Sequence, residues 1–75
     1  MSLWELWLDN MRQAEHWHTS AKSYFTMARC FRELGDERHA ESLTRTAKTA
    51  LEHGRRQVQF AKQNRFYAVQ FERWP

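Results

Sequence analysis

The side chains in this sequence most apt for catalysis or metal binding are four histidines, a single cysteine and nine acidic residues. Two pairs have a suggestive spacing: Glu15 with His18 in "EHWH", and Asp36 with His39 in "DERH". Both follow the acid-x-x-His pattern by which helical bundles hold two iron ions, but that chemistry needs two such pairs and two further carboxylates converging on one core. Asp36 directly follows Gly35 and fits a helix cap better. His16 and His18 point about 200° apart on a helix. Solvated positions on helix faces are therefore expected. Nothing in the sequence supplies Cys30 with the base or orienting group that a thiolate nucleophile requires, and a buried, inert thiol near Phe31 is expected. There is no glycine-rich phosphate loop, paired-carboxylate signature or hydrolase elbow. The sequence reads as that of a protein that is not an enzyme and takes no metal or cofactor.

Seventy-five residues make one domain, and a chain of this size buries only about 60% of its unfolded surface. Hydrophobic residues at 41% and aromatics at 15% are too many for disorder. Four Trp and five Phe outnumber the places where so small a core hides them, which points to a partner. The lone Cys30 excludes an intrachain disulfide and a cysteine-based zinc site. "MSLWELWLDN" lacks a basic n-region, and Glu5 and Asp9 interrupt its apolar run. It reads as neither signal peptide nor membrane span, so a reducing, cytoplasmic compartment is expected.

The net charge of +3 is unevenly spread. Residues 1–54 carry seven Lys/Arg against eight Asp/Glu, a balance of −1; residues 55–75 carry five against one, a balance of +4. An anionic partner would meet the chain at this C-terminal segment.

The breakers are few: Gly35, Gly54 and the terminal Pro75. With no alternation of apolar and polar residues, the chain reads as all-α. Ser2 and Glu5 have capping-box spacing, so a first helix starts at Leu3. Leu3, Trp7, Met11, Ala14 and Trp17 form its apolar stripe, with Trp4 and Leu8 off it. At "HTS", His18–Ser20, either a second helix is capped or one long helix continues to Leu34. Gly35 closes that segment in the left-handed conformation and Asp36 caps the next, so the two flanking helices are antiparallel neighbours. Ala40, Leu43, Ala47, Ala50 and Leu51 form a stripe of mostly small residues that continues in phase through Val58, Ala61 and Ala68. Gly54 therefore either ends the helix or sits within it. The expected architecture is a small bundle of three to four helices around a hairpin that turns at Gly35–Asp36.

That hairpin resembles a single tetratricopeptide repeat over residues 21–54. Tyr24, Met27, Ala28 and Phe31 stand where the family places its aromatic, Leu, small and Tyr residues. Leu34, Gly35 and Asp36 match its Leu-Gly-Asp turn, and Ala40 and Ala47 its small residues in the second helix. Thr44 and Glu52 depart from the pattern, at positions usually large and proline. The resemblance implies a non-catalytic adaptor that binds peptides or partner proteins.

The aromatic residues locate the expected surface. Phe60, Tyr67, Phe71 and Trp74 share one side of the last helix, while Phe66 and Val69 lie on others, so that helix has apolar residues on more than one face. Trp4, Leu8, Phe66, Phe71 and Trp74 are the expected partner-binding residues, since large side chains off the main stripe or near chain ends have the fewest intrachain neighbours. The marginal core and this two-sided helix also predict a homodimer. The sequence therefore reads as a small interaction module, an adaptor or inhibitor that masks or bridges another protein. The competing reading is nucleic-acid binding, with Arg55, Arg56, Lys62, Arg65 and Arg73 on phosphates and the interleaved aromatics on bases. A membrane-surface role for the basic helix ranks below both.

Overall fold

A computed structural model describes residues 2–72. They form two helices, α1 (Leu3–Glu33) and α2 (Glu37–Phe71), packed side by side in an antiparallel rod of 55 × 15 × 14 Å. The fold is all-α and built on the expected hairpin, but it has two helices among the described residues where three to four were expected.

Both candidate breaks are helical, for different reasons. Thr19 and Ser20 lie within α1, where a hydroxyl residue costs only tenths of a kcal/mol, ~0.5, relative to alanine. Elsewhere the helices absorb their hydroxyls directly: Thr26, Thr44, Thr46 and Thr49 each donate to the carbonyl four residues back. Gly54 lies inside α2 because the neighbouring helix passes close by. A Cβ there would stand 2.8 Å from the His18 imidazole and 3.4 Å from Trp17 Cβ.

The turn is built as the sequence indicates. Gly35 has φ +82°, the left-handed conformation. Its amide donates to Arg32 O and the Asp36 amide to Phe31 O, the paired bonds of a Schellman closure. Asp36 then caps α2, accepting from the His39 amide at 3.2 Å and approaching His39 Nδ1 at 2.6 Å. The backbone bond from His39 is the main cause that holds the Asp36 carboxyl below its ordinary value of 3.8; desolvation opposes it, and the His39 side chain adds to the lowering. A depressed carboxyl pKa stabilises the fold above about pH 4, and that contribution is lost as acid protonates the cap. At the opposite end, Ser2 Oγ accepts from the Glu5 amide, and the Leu3 amide donates to Glu72 Oε1 at 2.9 Å. The last part of the chain thus satisfies an orphan donor of the first helix and sets a negative charge at its positive end.

Between the ends, burial repeats every seven residues. Ala14, Ala21 and Ala28 are buried on α1, and Ala40, Ala47, Gly54, Ala61 and Ala68 on α2. Trp4 and Ala50 are buried beside these rows. Contacts of Phe31 with His39, of Trp17 with His53 and of Asn10 with Gln57 set the register. In it Ala40, Ala47, Gly54 and Ala61 lie opposite Phe31, Tyr24, Trp17 and Asn10, so small residues on one helix face large ones on the other. The structure also corrects the expected stripe of α1. Met11, expected on it, is 41% exposed, whereas Trp4, expected off it, is only 8% exposed and packs edge-on to Trp7.

Two outcomes test this account. Gly35→Ala is expected to cost about 1–2 kcal/mol although nothing lies within 4 Å of its added methyl, because the cost is backbone strain; an unchanged urea midpoint would place the strain elsewhere. Gly54→Ala has opposing effects: about 1 kcal/mol of helix propensity gained against displacement of the His18 ring. In a His18→Ala background only the gain remains, so Gly54→Ala should stabilise there by about 1 kcal/mol and by clearly less in the wild type. Equal effects in both backgrounds would mean that the imidazole does not set this glycine.

Candidate interaction face

The seven-residue rows sort the remaining side chains into faces. On one side of the seam α1 presents Leu3, Asn10, Trp17, Tyr24 and Phe31, with Leu6, Gln13, Ser20, Met27 and Leu34 outside them. On the same side α2 presents Leu43, Ala50, Gln57, Asn64 and Phe71, then His39, Thr46, His53, Phe60 and Tyr67. Direct contacts place these rows together. Trp17 stacks on His53 with ring centroids 4.8 Å apart, and Phe31 on His39 at 5.2 Å. Asn10 donates to Gln57 at 2.8 Å and accepts from Asn64 at 2.7 Å, an amide chain that ties the helices together. A shallow groove of about 280 Å³ lies between Trp17, Tyr24, Thr46 and His53.

Between the caps, no Lys, Arg, Asp or Glu of the described residues lies on this face. It is nonetheless solvent-facing. Phe60 is 50% exposed, Phe71 78% and Leu34 80%, while Trp17, Tyr24 and Phe31 are half-buried. Tyr67 and Phe71 stack at 6.1 Å near the open end. The other side is charged. Leu8, Met11, Arg12, Glu15, His18 and Val58 line a groove of about 400 Å³, and Lys48, Arg55 and Lys62 follow one another at seven-residue spacing along α2. Helix α1 carries four Lys/Arg and four Asp/Glu, a balance of 0; α2 carries seven against three, a balance of +4.

The residues expected to bind a partner do not come together. Trp4 is buried, edge-on to Trp7 at 6.0 Å, and so is withdrawn from the surface. Leu8 lies on the charged side, and Phe66, 61% exposed, on the outer side of α2. Phe71 alone of the five lies on the uncharged face; Trp74 is outside the described residues. Of the basic set, Arg55, Arg56, Lys62 and Arg65 are exposed along α2, and Arg73 is outside the described residues. Trp17, Tyr24, Met27 and Phe31 are the face residues that sequence reasoning passed over as core. The signal was present, in rows at seven-residue spacing that contain no charge, but a 3.6-residue period does not reveal it.

The acid–histidine pairs do not assemble. Asp36 and His39 are occupied in the cap and against Phe31, and no three His, Cys, Asp or Glu among the described residues stand together as metal ligands. Cys30 is exposed, against the expectation of burial. Among the described residues, no helix is long and apolar enough to cross a membrane. Comparison with known protein families, with curated proteins and with solved structures found no match.

The amide chain generates a prediction. Asn10→Ala removes both bonds and leaves Gln57 and Asn64 half-buried without their partner, so it should destabilise by about 1–3 kcal/mol. Asn64→Ala, which removes one bond, should cost less. Equal losses in urea titrations would mean that the central amide is not shared.

Proposed function

We propose that this hairpin is a non-catalytic protein–protein interaction module, an adaptor or inhibitor that masks or bridges a partner. The uncharged, aromatic face carries this reading. Interface cores are depleted of charge and enriched in aromatic residues and Met, whereas an ordinary solvated surface is laced with Lys and Glu. The resemblance of residues 21–54 to a tetratricopeptide repeat points the same way, and an exposed Cys30 suits a reducing, cytoplasmic setting. Self-association belongs to the same reading.

One observation favours nucleic acid as the second reading: the line of Lys48, Arg55 and Lys62, with Arg56 and Arg65 nearby, on a helix of net +4. It puts the anionic ligand on the charged side, away from the aromatic face.

Paired variants separate the two. Phe60→Glu should abolish capture of a protein partner by the tagged chain in its native cell, and Arg55, Arg56 and Lys62 changed together to Gln should leave it intact. Binding to DNA or RNA at physiological salt is expected to be no tighter than about micromolar, the upper end of non-specific affinity. Nanomolar binding that weakens steeply with salt and vanishes in the triple Gln variant would reverse the assignment.

A further inference from the structure

We infer that a second copy of this chain covers the uncharged face, giving a symmetric four-helix bundle in which each α2 lies over α1 of the other copy. This rests on the interaction-module reading and names the occupant of its face. The hairpin is incomplete as a globular unit: among the described residues, the buried hydrophobic side chains apart from Trp4 are all alanines. Each buried alanine methyl contributes only about 0.8 kcal/mol, and the aromatics that would contribute more stand half-open along the face.

The dimensions suit a copy. A face of 55 × 15 Å offers roughly 800 Å² per chain, the area that each partner buries in a standard stable interface. A second hairpin matches it end to end without charge on either surface. The midpoint of the rod falls at the Trp17–His53 stack, since α1 runs Leu3–Glu33 and α2 Glu37–Phe71. The row of Asn10, Gln57 and Asn64 would be costly against lipid, whereas amides inside a bundle fix register and oligomeric state.

Charge selects the arrangement. Setting α2 over α2 of the copy would bring two helices of net +4 side by side. Setting α2 over α1, of net 0, keeps the basic helices on the diagonal. The two-fold axis then runs along the rod, both turns lie at one end, and Trp17 meets His53 of the second copy as well as its own. Tyr67 covers Leu3 and Leu6 of the copy, and Phe60 lies over its Asn10 and Gln13.

Sedimentation equilibrium of the full chain at micromolar concentration should give twice the chain mass. Phe60→Glu and Met27→Glu, both at positions exposed in the single hairpin, should give monomers that keep a helical far-ultraviolet spectrum, while Leu8→Glu on the opposite side should leave the dimer intact. A nitroxide on Cys30, near the turn, reports the arrangement. Same-end turns should give a Cys30–Cys30 distance of about 20–30 Å, against about 40 Å or more for turns at opposite ends, from a rise of about 1.5 Å per residue. The longer distance would overturn the α2-over-α1 arrangement. A monomer up to hundreds of micromolar, or a dimer that survives Phe60→Glu and Met27→Glu but not Leu8→Glu, would overturn the inference outright. Dioleoylphosphatidylcholine vesicles that bind the wild-type monomer but not Phe60→Glu would assign the face to lipid and overturn it too. If the wild type is monomeric yet Phe60→Glu still abolishes capture of a foreign protein, the interaction module stands and the second copy falls.

Discussion

Two long helices can approach as closely as these do only where neither carries bulk at the seam, and that single condition shapes the molecule. Ala40, Ala47, Gly54, Ala61 and Ala68 run along α2, and Ala14, Ala21 and Ala28 along α1, so backbone meets backbone with little between. At Gly54 the approach is close enough that even a methyl would press on the His18 ring. Along its middle the seam has no depth, and among the described residues only at the open end does a large ring, Trp4, become buried. Trp17, Tyr24 and Phe31 lie instead across its edge, each opposite a small residue of the other helix. The large apolar side chains are displaced sideways, and the side they take becomes the face.

Charge follows the same geometry in reverse. The described Lys, Arg, Asp and Glu of the helices lie on the outer surfaces and along the far flank, where Lys48, Arg55 and Lys62 share a row with open solvent around them. Exposed ion pairs such as Arg32 with Glu37, at 3.5 Å across the turn, contribute little to stability. Polar groups matter more where the helices meet. The amide chain through Asn10 and the bond from Leu3 to Glu72 join residues far apart in sequence and hold the open end of the hairpin, which has no covalent turn of its own.

A two-helix rod with an alanine seam and aromatic flanks is an architecture in want of a second layer. Domains bury the apolar stripe of each helix against another element, and in a hairpin this thin one side of each helix has nothing to meet. The absence of charge from that side, its match in length to another hairpin and the segregation of basic residues away from it together give the molecule a direction. One side is aromatic and uncharged, the other charged.

By itself the sequence determined the local elements: an all-α chain, the Ser2 and Asp36 caps, and a turn at Gly35 that must be left-handed. These depend on interactions within four or five residues, and the residue types at those positions admit few alternatives. The small-residue stripe of α2 was also legible, because alanine spacing shows directly in the text. Whether "HTS" and Gly54 break the helices was decided only by the tertiary structure. A glycine inside a helix costs about 1 kcal/mol, and the passage of another helix alongside decides whether it is a break or a clearance. The burial of Trp4 and the exposure of Met11 were likewise settled only by the tertiary structure, since the two share a row at seven-residue spacing and the sequence pattern does not distinguish them. The uncharged face exists only once two helices are set side by side in one register, since its rows come from both and are separated by half the length of the chain.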